Sequence, residues 1–178
     1  VCGFIALADA PRPEATDAVR SLRELGIGRV AMLTGDNPET AAEIARLVGI
    51  SEVHAGLLPE DKVALLEDLR SHGPLAFVGD GINDAPALAV SDLGIAMAAA
   101  GTDAAIETAH VALMADDLGK IPWLVKHSRR TLRTIRTNIA FALGVKALFV
   151  VLTFIGFASL WAAIAADMGA SLLVVANG

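Results

Sequence analysis

The stretch LAFVGDGINDAPAL, residues 75–88, places two aspartates directly after a short apolar run. Residues 75–78 follow a glycine-proline pair and predict a buried strand. Asp80 and Asp84 then lie just past the strand end, and Asn83 adds an amide beside them. Ligands bind at the carboxyl ends of strands in open α/β sheets, and clustered oxygen ligands suit Mg²⁺. These residues are therefore a candidate magnesium site; the alternative is that Asp80 and Asn83 close a tight turn and cap a helix.

Strand-like and helix-like segments alternate as far as about residue 117, which predicts a parallel, doubly wound, Rossmann-like α/β sheet. Helices are predicted where apolar residues recur at helical spacing. One begins at Pro38 with Asn37 as its cap, and another begins at Pro59. The predicted strands are residues 3–8, 29–33, 52–55, 75–78, 93–97 and 111–114.

Two further segments of this domain carry residues that suit a phosphate group. Thr34, Gly35 and Asp36 follow a predicted strand and precede a helix, where hydroxyl and backbone amide groups favour phosphate oxygens. Lys62 lies near the start of the next helix and supplies a positive charge. Each residue alone also fits a turn or a solvated surface. Together with the carboxylates at the strand end, they predict a site for a Mg²⁺-bound phosphoryl group.

The distribution of charge divides the sequence into two unlike parts. Residues 1–117 contain 7 Lys and Arg against 19 Asp and Glu, a net charge of −12. Residues 118–178 contain 7 basic residues and one acid, a net charge of +6. The single cysteine, Cys2, excludes an internal disulfide and a zinc site built of cysteines within this chain.

The basic part predicts a membrane hairpin. Residues 118–138 are predicted to form a basic, amphipathic connecting helix, and residues 139–178 contain two apolar runs, 139–157 and 160–176. Each run carries one charge and is long enough to cross a bilayer. The positive-inside tendency places residues 1–138 in the cytoplasm. We therefore expect a lipid bilayer, and not a nucleic acid, as a partner; two buried helices of a soluble core are the alternative.

The charges inside these runs are Lys146 and Asp167. Both lie near the middle of a run, where a charged side chain costs about 2.5 to 3.5 kcal/mol. Their matched depth allows them to pair. In the functional interpretation, Asp167 is an oxygen ligand of a transported divalent cation and Lys146 is its counter-ion. A purely structural ion pair is the alternative.

Four motifs resemble the phosphorylation domain of a P-type ATPase, within the haloacid dehalogenase superfamily: D-x-x-R at 9–12, MLTGDN at 32–37, LPEDK at 58–62 and VGDGINDAPAL at 78–88. The resemblance continues through GIAM, GTDAAIET and VALM and covers nearly the whole chain. It implies a haloacid dehalogenase-like fold, ATP as the substrate and Mg²⁺ as the cofactor.

The resemblance also implies a role for each matching residue. Thr34 and Gly35 are expected to contact the transferred phosphoryl group, and Asp36 to lie toward the nucleotide. Lys62 is expected to contact a phosphoaspartate. The residues expected to hold Mg²⁺ or to complete the site are Asp80, Asn83 and Asp84.

The segments ALGVKALF and AADMGASLLVVAN resemble the last two helices of the heavy-metal P-type ATPases that export zinc, cadmium and lead. In that branch the aspartate is a metal ligand and the lysine a built-in counter-ion. The resemblance therefore implies that Asp167 binds Zn²⁺, Cd²⁺ or Pb²⁺ beside Lys146. From the alanine-rich composition of a compact export pump, we expect the plasma (inner) membrane as its location.

The DKTGT motif that carries the family's nucleophilic aspartate does not occur in this sequence. We therefore expect the chain to be cut from a longer pump and to be inactive alone. The missing N-terminal part is expected to contain nucleotide-binding and actuator domains and earlier helices with metal-ligand cysteines. The alternatives are a soluble phosphatase of the same superfamily and a membrane-anchored module that binds Mg²⁺ and phosphate without catalysis.

Overall fold

The computed structural model describes residues 10–79, 83–97, 107–115, 117–156 and 160–177. The chain divides between Trp123 and Leu124 into two compact units. The first unit has α/β architecture, and the second is helical. The predicted strand at 3–8 and Asp80 lie outside the described residues.

The strands of the first unit form two parallel sheets. In one sheet β1 (Ala31–Leu33) pairs with β2 (Glu52–His54). In the other, the order is β3 (Ala76–Gly79), β4 (Leu93–Met97) and β5 (Val111–Leu113). The intervening helices are α1 (Ala15–Glu24), α2 (Pro38–Val48), α3 (Pro59–Ser71) and α4 (Ala85–Val90). Alternating strands and helices with parallel pairing confirm the predicted doubly wound class.

Helix α2 begins and ends where its sequence predicts. The Asn37 side chain accepts a hydrogen bond from the Thr40 amide at 2.9 Å, and Pro38 is the first helical residue. Gly49 follows the helix with a φ of 80°, a left-handed conformation that glycine adopts without steric cost. The cap therefore sets the start of α2 a few residues after the end of β1.

The core of the first unit lies between α3, α4 and the three-stranded sheet. Its buried side chains are Leu66, Phe77, Ala87, Leu88 and Ala96. Leu33, at the end of β1, packs against the same cluster. This contact brings the carboxyl end of β1 close to the core that contains Phe77 of β3. The strands that precede the predicted phosphate loop and the predicted carboxylate site therefore pack against one hydrophobic core.

The second unit contains most of α5 (Lys120–Phe154) and all of α6 (Leu160–Asn177). Helix α5 has 35 residues and extends over about 52 Å. It joins the predicted connecting helix and most of the first predicted span in one helix, because no proline follows Pro122 to interrupt it. Its mean hydropathy of 1.8 over 18 residues makes it long and apolar enough to cross a membrane. The second predicted span lies on a shorter apolar helix, Trp161–Asn177, so among the described residues one helix is long and apolar enough to cross a membrane.

Candidate functional site

The loop after β1 is tied to the loop after β2 by backbone hydrogen bonds. The Thr34 amide donates to the His54 carbonyl at 2.9 Å, and the Leu57 amide donates to the Thr34 carbonyl at 3.1 Å. The Gly56 amide donates to the Asp36 carbonyl at 2.8 Å. These bonds fix the backbone around Thr34 and Asp36 at the carboxyl end of the two-stranded sheet.

Within this loop the side chains of Thr34 and Asp36 bind each other. The Thr34 hydroxyl donates to Asp36 Oδ2 at 2.9 Å and accepts from the Asp36 amide at 3.1 Å. Gly35 lies between them, and a Cβ atom there would come 3.4 Å from the Leu57 carbonyl oxygen. The backbone at Gly35 therefore lies close to the loop after β2. The Thr34 hydroxyl must leave Asp36 before it can donate to another oxygen.

Lys62 and Asp84 form a close ion pair. Lys62 lies in the first turn of α3, and Asp84 directly precedes α4. Lys62 Nζ lies 2.8 Å from Asp84 Oδ1, and the two side chains are only 15% and 13% exposed. Asp84 makes no side-chain hydrogen bond that caps α4. Helix capping therefore does not account for Asp84, and the structure brings two of the predicted site residues into contact.

Gly79, at the end of β3, makes room for this aspartate. A Cβ atom on Gly79 would lie 2.8 Å from Asp84 Oδ2 and 3.0 Å from the Phe77 ring. Any side chain at this position would displace the carboxylate or the ring. Our sequence analysis did not single out Gly79, although the glycine on each side of Asp80 in the GDG segment was an available signal.

The remaining predicted site residues are not assembled in the part of the chain that the structure describes. Asn83 lies in the exposed turn before α4, and Asp80 falls outside the described ranges. Among the described residues, no group of three or more His, Cys, Asp or Glu side chains is arranged to hold a metal ion. The carboxylate of Asp84 has the chemistry that Mg²⁺ prefers, and the predicted magnesium site stays a prediction.

Sequence analysis missed two carboxylates that connect the elements around the site. Asp92 accepts from the Leu75 amide at 3.0 Å and from Arg70 Nε at 2.9 Å. The hydrogen bond from the Leu75 amide, with the nearby Arg70 guanidinium, lowers the pKa of Asp92. This carboxylate ties the end of α3 to the residue before β3.

Glu52 makes the corresponding connection at the start of the two-stranded sheet. It accepts two hydrogen bonds from the Arg29 guanidinium, at 2.6 and 2.7 Å, and lies 3.0 Å from His54 Nε2. The hydrogen bonds from Arg29 and then from His54 lower the pKa of Glu52 to about 2. Glu52 is therefore a carboxylate at neutral pH and links the segment before β1 to β2.

In the second unit, Lys146 of α5 and Asp167 of α6 face each other. Lys146 Nζ lies 3.5 Å from Asp167 Oδ1. Both side chains line a cleft of about 340 Å³. The other residues that line it are Val145, Phe149, Val150, Thr153 and Ala163. The only hydroxyl among them belongs to Thr153 and donates to a carbonyl of its own helix. The two charges are thus paired in an otherwise largely apolar cleft.

A family model for haloacid dehalogenase-like hydrolases matches residues 1–92, which is more than half of the chain. The chain belongs to the haloacid dehalogenase-like hydrolase family. Membership confirms the fold that the motifs predicted.

This haloacid dehalogenase-like chain is also similar over its whole length to metal-transporting ATPases. It is 51% identical over 179 residues to a probable cadmium-transporting ATPase of Alkalihalophilus pseudofirmus, a match that covers 100% of this chain and 25% of that protein. It is 50% identical over 177 residues to the zinc/cadmium/lead-transporting P-type ATPase of Escherichia coli, a match that covers 99% of this chain and 24% of that protein. The predicted resemblance to heavy-metal P-type ATPases is confirmed.

A solved structure supports the same relationship. The crystal structure of a zinc-transporting PIB-type ATPase in the E2.Pi state matches with a TM-score of 0.88 and 49% identity. The match covers 96% of this chain and 28% of that chain. The haloacid dehalogenase-like chain therefore spans about a quarter of the length of the ATPases that it resembles.

Proposed function

We propose that this chain is the C-terminal part of a P-type ATPase that exports Zn²⁺, Cd²⁺ or Pb²⁺. The observation that carries the proposal is the Lys146–Asp167 pair, with 3.5 Å between its charged atoms, in a largely apolar cleft between two apolar helices. A charge at the centre of a membrane span costs about 2.5 to 3.5 kcal/mol, so such residues are usually retained for a function. The names of the E. coli and A. pseudofirmus relatives support these cargo metals.

In the proposed transport site, Asp167 is the residue that binds the cation. A carboxylate supplies oxygen ligands, and its negative charge compensates part of the charge of a divalent ion. Lys146 neutralises the same carboxylate when no cation is bound. Because one positive partner replaces the other, Asp167 is paired in both states, and an uncompensated charge in the membrane is avoided.

The phosphoryl site belongs to the first unit. ATP phosphorylates an aspartate that lies outside this sequence: its carboxylate oxygen attacks the γ-phosphorus, the bond to the β-phosphate oxygen breaks, and ADP leaves. Thr34 and Gly35 donate to the phosphoryl oxygens, and Asp36 lies toward the nucleotide. Lys62, oriented by Asp84 at 2.8 Å, stabilises the negative charge of the phosphoryl group. Asp80 and Asp84 would hold Mg²⁺, which supplies further positive charge, and Asn83 completes the site.

We place α5 and α6 across the plasma (inner) membrane, with residues 1–138 in the cytoplasm. Helix α6 has 18 residues and a length of about 27 Å, close to the roughly 30 Å hydrocarbon core of a bilayer. Five basic residues lie on α5 before its apolar run, which supports the cytoplasmic location of that end. They are Lys126, Arg129, Arg130, Arg133 and Arg136.

The proposal is tested by zinc-stimulated ATP hydrolysis in the reconstituted full-length pump. Asp167→Asn keeps the size of the side chain and removes its charge, and we expect it to abolish zinc stimulation. Ser171→Ala is the matched control, because this hydroxyl lies one turn away and donates only to the Asp167 carbonyl within α6, at 2.9 Å. Zinc stimulation that persists in Asp167→Asn would refute the transport site.

A further inference from the structure

A second polar contact joins α5 and α6 away from the Lys146–Asp167 pair. The Asn177 side-chain amide donates to Asn138 Oδ1 at 2.7 Å. Asn138 Nδ2 in turn donates to the Val174 carbonyl at 3.3 Å. We call these two hydrogen bonds the amide clamp. Through the clamp, one asparagine of α5 binds both a side chain and the backbone of α6.

The clamp and the ion pair are two contacts of the same hairpin. Asn138 lies 8 residues before Lys146, or about 12 Å along α5. Asn177 lies 10 residues after Asp167, or about 15 Å along α6. The clamp therefore lies toward the proposed cytoplasmic end of both helices, at similar distances from the ion pair.

The two contacts differ in how strongly they define the position of one helix along the other. A lysine side chain is long and flexible, so an ion pair with 3.5 Å between its charged atoms tolerates a range of axial positions. An asparagine amide is short, and its hydrogen bonds weaken steeply when their distance or angle changes. The clamp is thus the better determinant of register.

We propose that Asn138 and Asn177 are positioning residues for the metal site. Their clamp sets the axial position of α6 on α5 and thereby holds Asp167 opposite Lys146. This inference rests on the proposed transport function of that pair. It predicts that loss of the clamp weakens cation binding while the phosphoryl chemistry of the first unit is retained.

The test measures ATP hydrolysis against free zinc concentration in the reconstituted full-length pump. We expect Asn138→Ala and Asn177→Ala each to raise the half-maximal zinc concentration about three- to tenfold, which corresponds to the free energy of one interhelical hydrogen bond in a membrane protein. The rate at saturating zinc is expected to stay close to wild type. Because both substitutions remove the same 2.7 Å bond, the double variant is expected to resemble the stronger single variant.

Thr137→Ala is the matched control. Thr137 precedes Asn138, but its hydroxyl donates to the Arg133 carbonyl of the same helix at 2.9 Å, so its removal breaks no contact between the helices. Asn138→Asp keeps the acceptor for Asn177 and loses the donor to Val174, and it carries the test if the alanine variants do not assemble. Because the second carboxylate oxygen would repel the Val174 carbonyl, its expected shift is in the same direction as that of Asn138→Ala.

Three results overturn the inference: an unchanged zinc dependence, additive effects of the two substitutions, or a loss of rate at saturating zinc with no change in the half-maximal concentration. Each of them leaves the wild-type zinc stimulation, and with it the proposed function, intact. A wild-type pump that zinc does not stimulate refutes the proposed function and this inference together.

Discussion

The chain contains two lysine–aspartate pairs with the same charged groups in different surroundings. Lys62 and Asp84 are 2.8 Å apart, with side chains 15% and 13% exposed. Lys146 and Asp167 are 3.5 Å apart, with side chains 64% and 57% exposed. The first pair is close because α3, α4 and β3 surround it and Gly79 admits the carboxylate. The second pair joins two helices, and both of its side chains are largely exposed.

The difference teaches how each pair fits its proposed task. A charge that acts on a phosphoryl group must be held in one orientation, and packed protein provides that restraint. A carboxylate that binds and releases a cation must exchange partners, and a longer contact in an open cleft is easier to exchange. A lysine–aspartate pair therefore suits a rigid site in the first unit. In the second unit, the same types of side chain suit a site in which the aspartate exchanges its partner.

The largest expected effect comes from the removal of one charge of the Lys146–Asp167 pair. Lys146→Met or Asp167→Asn leaves one charge unpaired in the proposed membrane hairpin, and we expect each to lower the stability of the full-length pump in lipid nanodiscs by about 2.5 to 3.5 kcal/mol. The double variant is expected to lose less than either single variant, because no unpaired charge remains. Thermal unfolding measures the effect.

Lys126→Met is the control for that experiment. It removes a lysine from the same helix before the apolar run begins, where water remains accessible, and we expect little change in stability. A double variant whose loss equals the sum of the two single losses would show that the charges are not coupled.

A smaller effect is expected from crowding of the Lys62–Asp84 pair. In Gly79→Ala the new Cβ lies 2.8 Å from Asp84 Oδ2 and must displace it. We expect the free energy of unfolding to fall by about 1 to 3 kcal/mol and phosphoenzyme formation to fall with it. The measurements are thermal unfolding and the level of phosphoenzyme from labelled ATP in the full-length pump.

The matched control for Gly79→Ala is Gly28→Ala, because an added Cβ at Gly28 meets no atom within 4 Å. If Gly79→Ala gives the same phosphoenzyme level as Gly28→Ala, the position of Asp84 does not matter for phosphorylation. A loss in both variants would indicate a general effect of alanine in this unit instead.

The smallest expected effect concerns Glu52, which belongs to neither pair. Its pKa is lowered to about 2 by hydrogen bonds from Arg29 and His54. A lowered pKa stabilises the fold above the unfolded value, near 4.5, and this contribution is lost as the pH falls toward 2. Because Arg29 is 58% exposed, screening reduces the contribution to about 1 kcal/mol or less.

We therefore expect Glu52→Gln to be less stable than wild type at pH 7 by about 1 kcal/mol or less. This difference is expected to disappear as the pH falls from about 4.5 to about 2. Urea unfolding of the chain in detergent at a series of pH values measures it. A difference that stays constant over this range would show that ionisation of Glu52 is not its source.

Much of the secondary structure was predictable from local pattern. Strand β4 occupies the predicted residues 93–97, and Asn37 caps α2 as expected. Strand β3 begins one residue later than predicted, because the Leu75 amide donates to the Asp92 side chain. The predicted connecting helix and first span are parts of one helix, since a change from basic to apolar residues alters the surroundings of a helix and not its backbone.

The sequence predicted where the candidate site residues lie along the chain, but it predicted only some of the contacts between them. The strand pattern predicted that Thr34 follows the carboxyl end of β1 and that Asp84 lies past the carboxyl end of β3, and similar positions in the two apolar runs predicted that Lys146 and Asp167 pair. The 2.8 Å contact between Lys62 and Asp84 joins residues 22 positions apart, and no local pattern specifies it. The space at Gly79 likewise depends on the neighbouring turn.

The sequence by itself determined the alternation of strands and helices, the residue types at the strand ends and the positions of Lys146 and Asp167 within the two apolar runs. These depend on hydrophobic period, on glycine and proline, and on the distance per residue, which are all local properties. Only the tertiary structure decided which of those groups meet: Lys62 with Asp84, Asp92 with Arg70, and Asn138 with Asn177. Such contacts depend on how side chains of separate elements fill the space between them, and packing is a property of the whole fold.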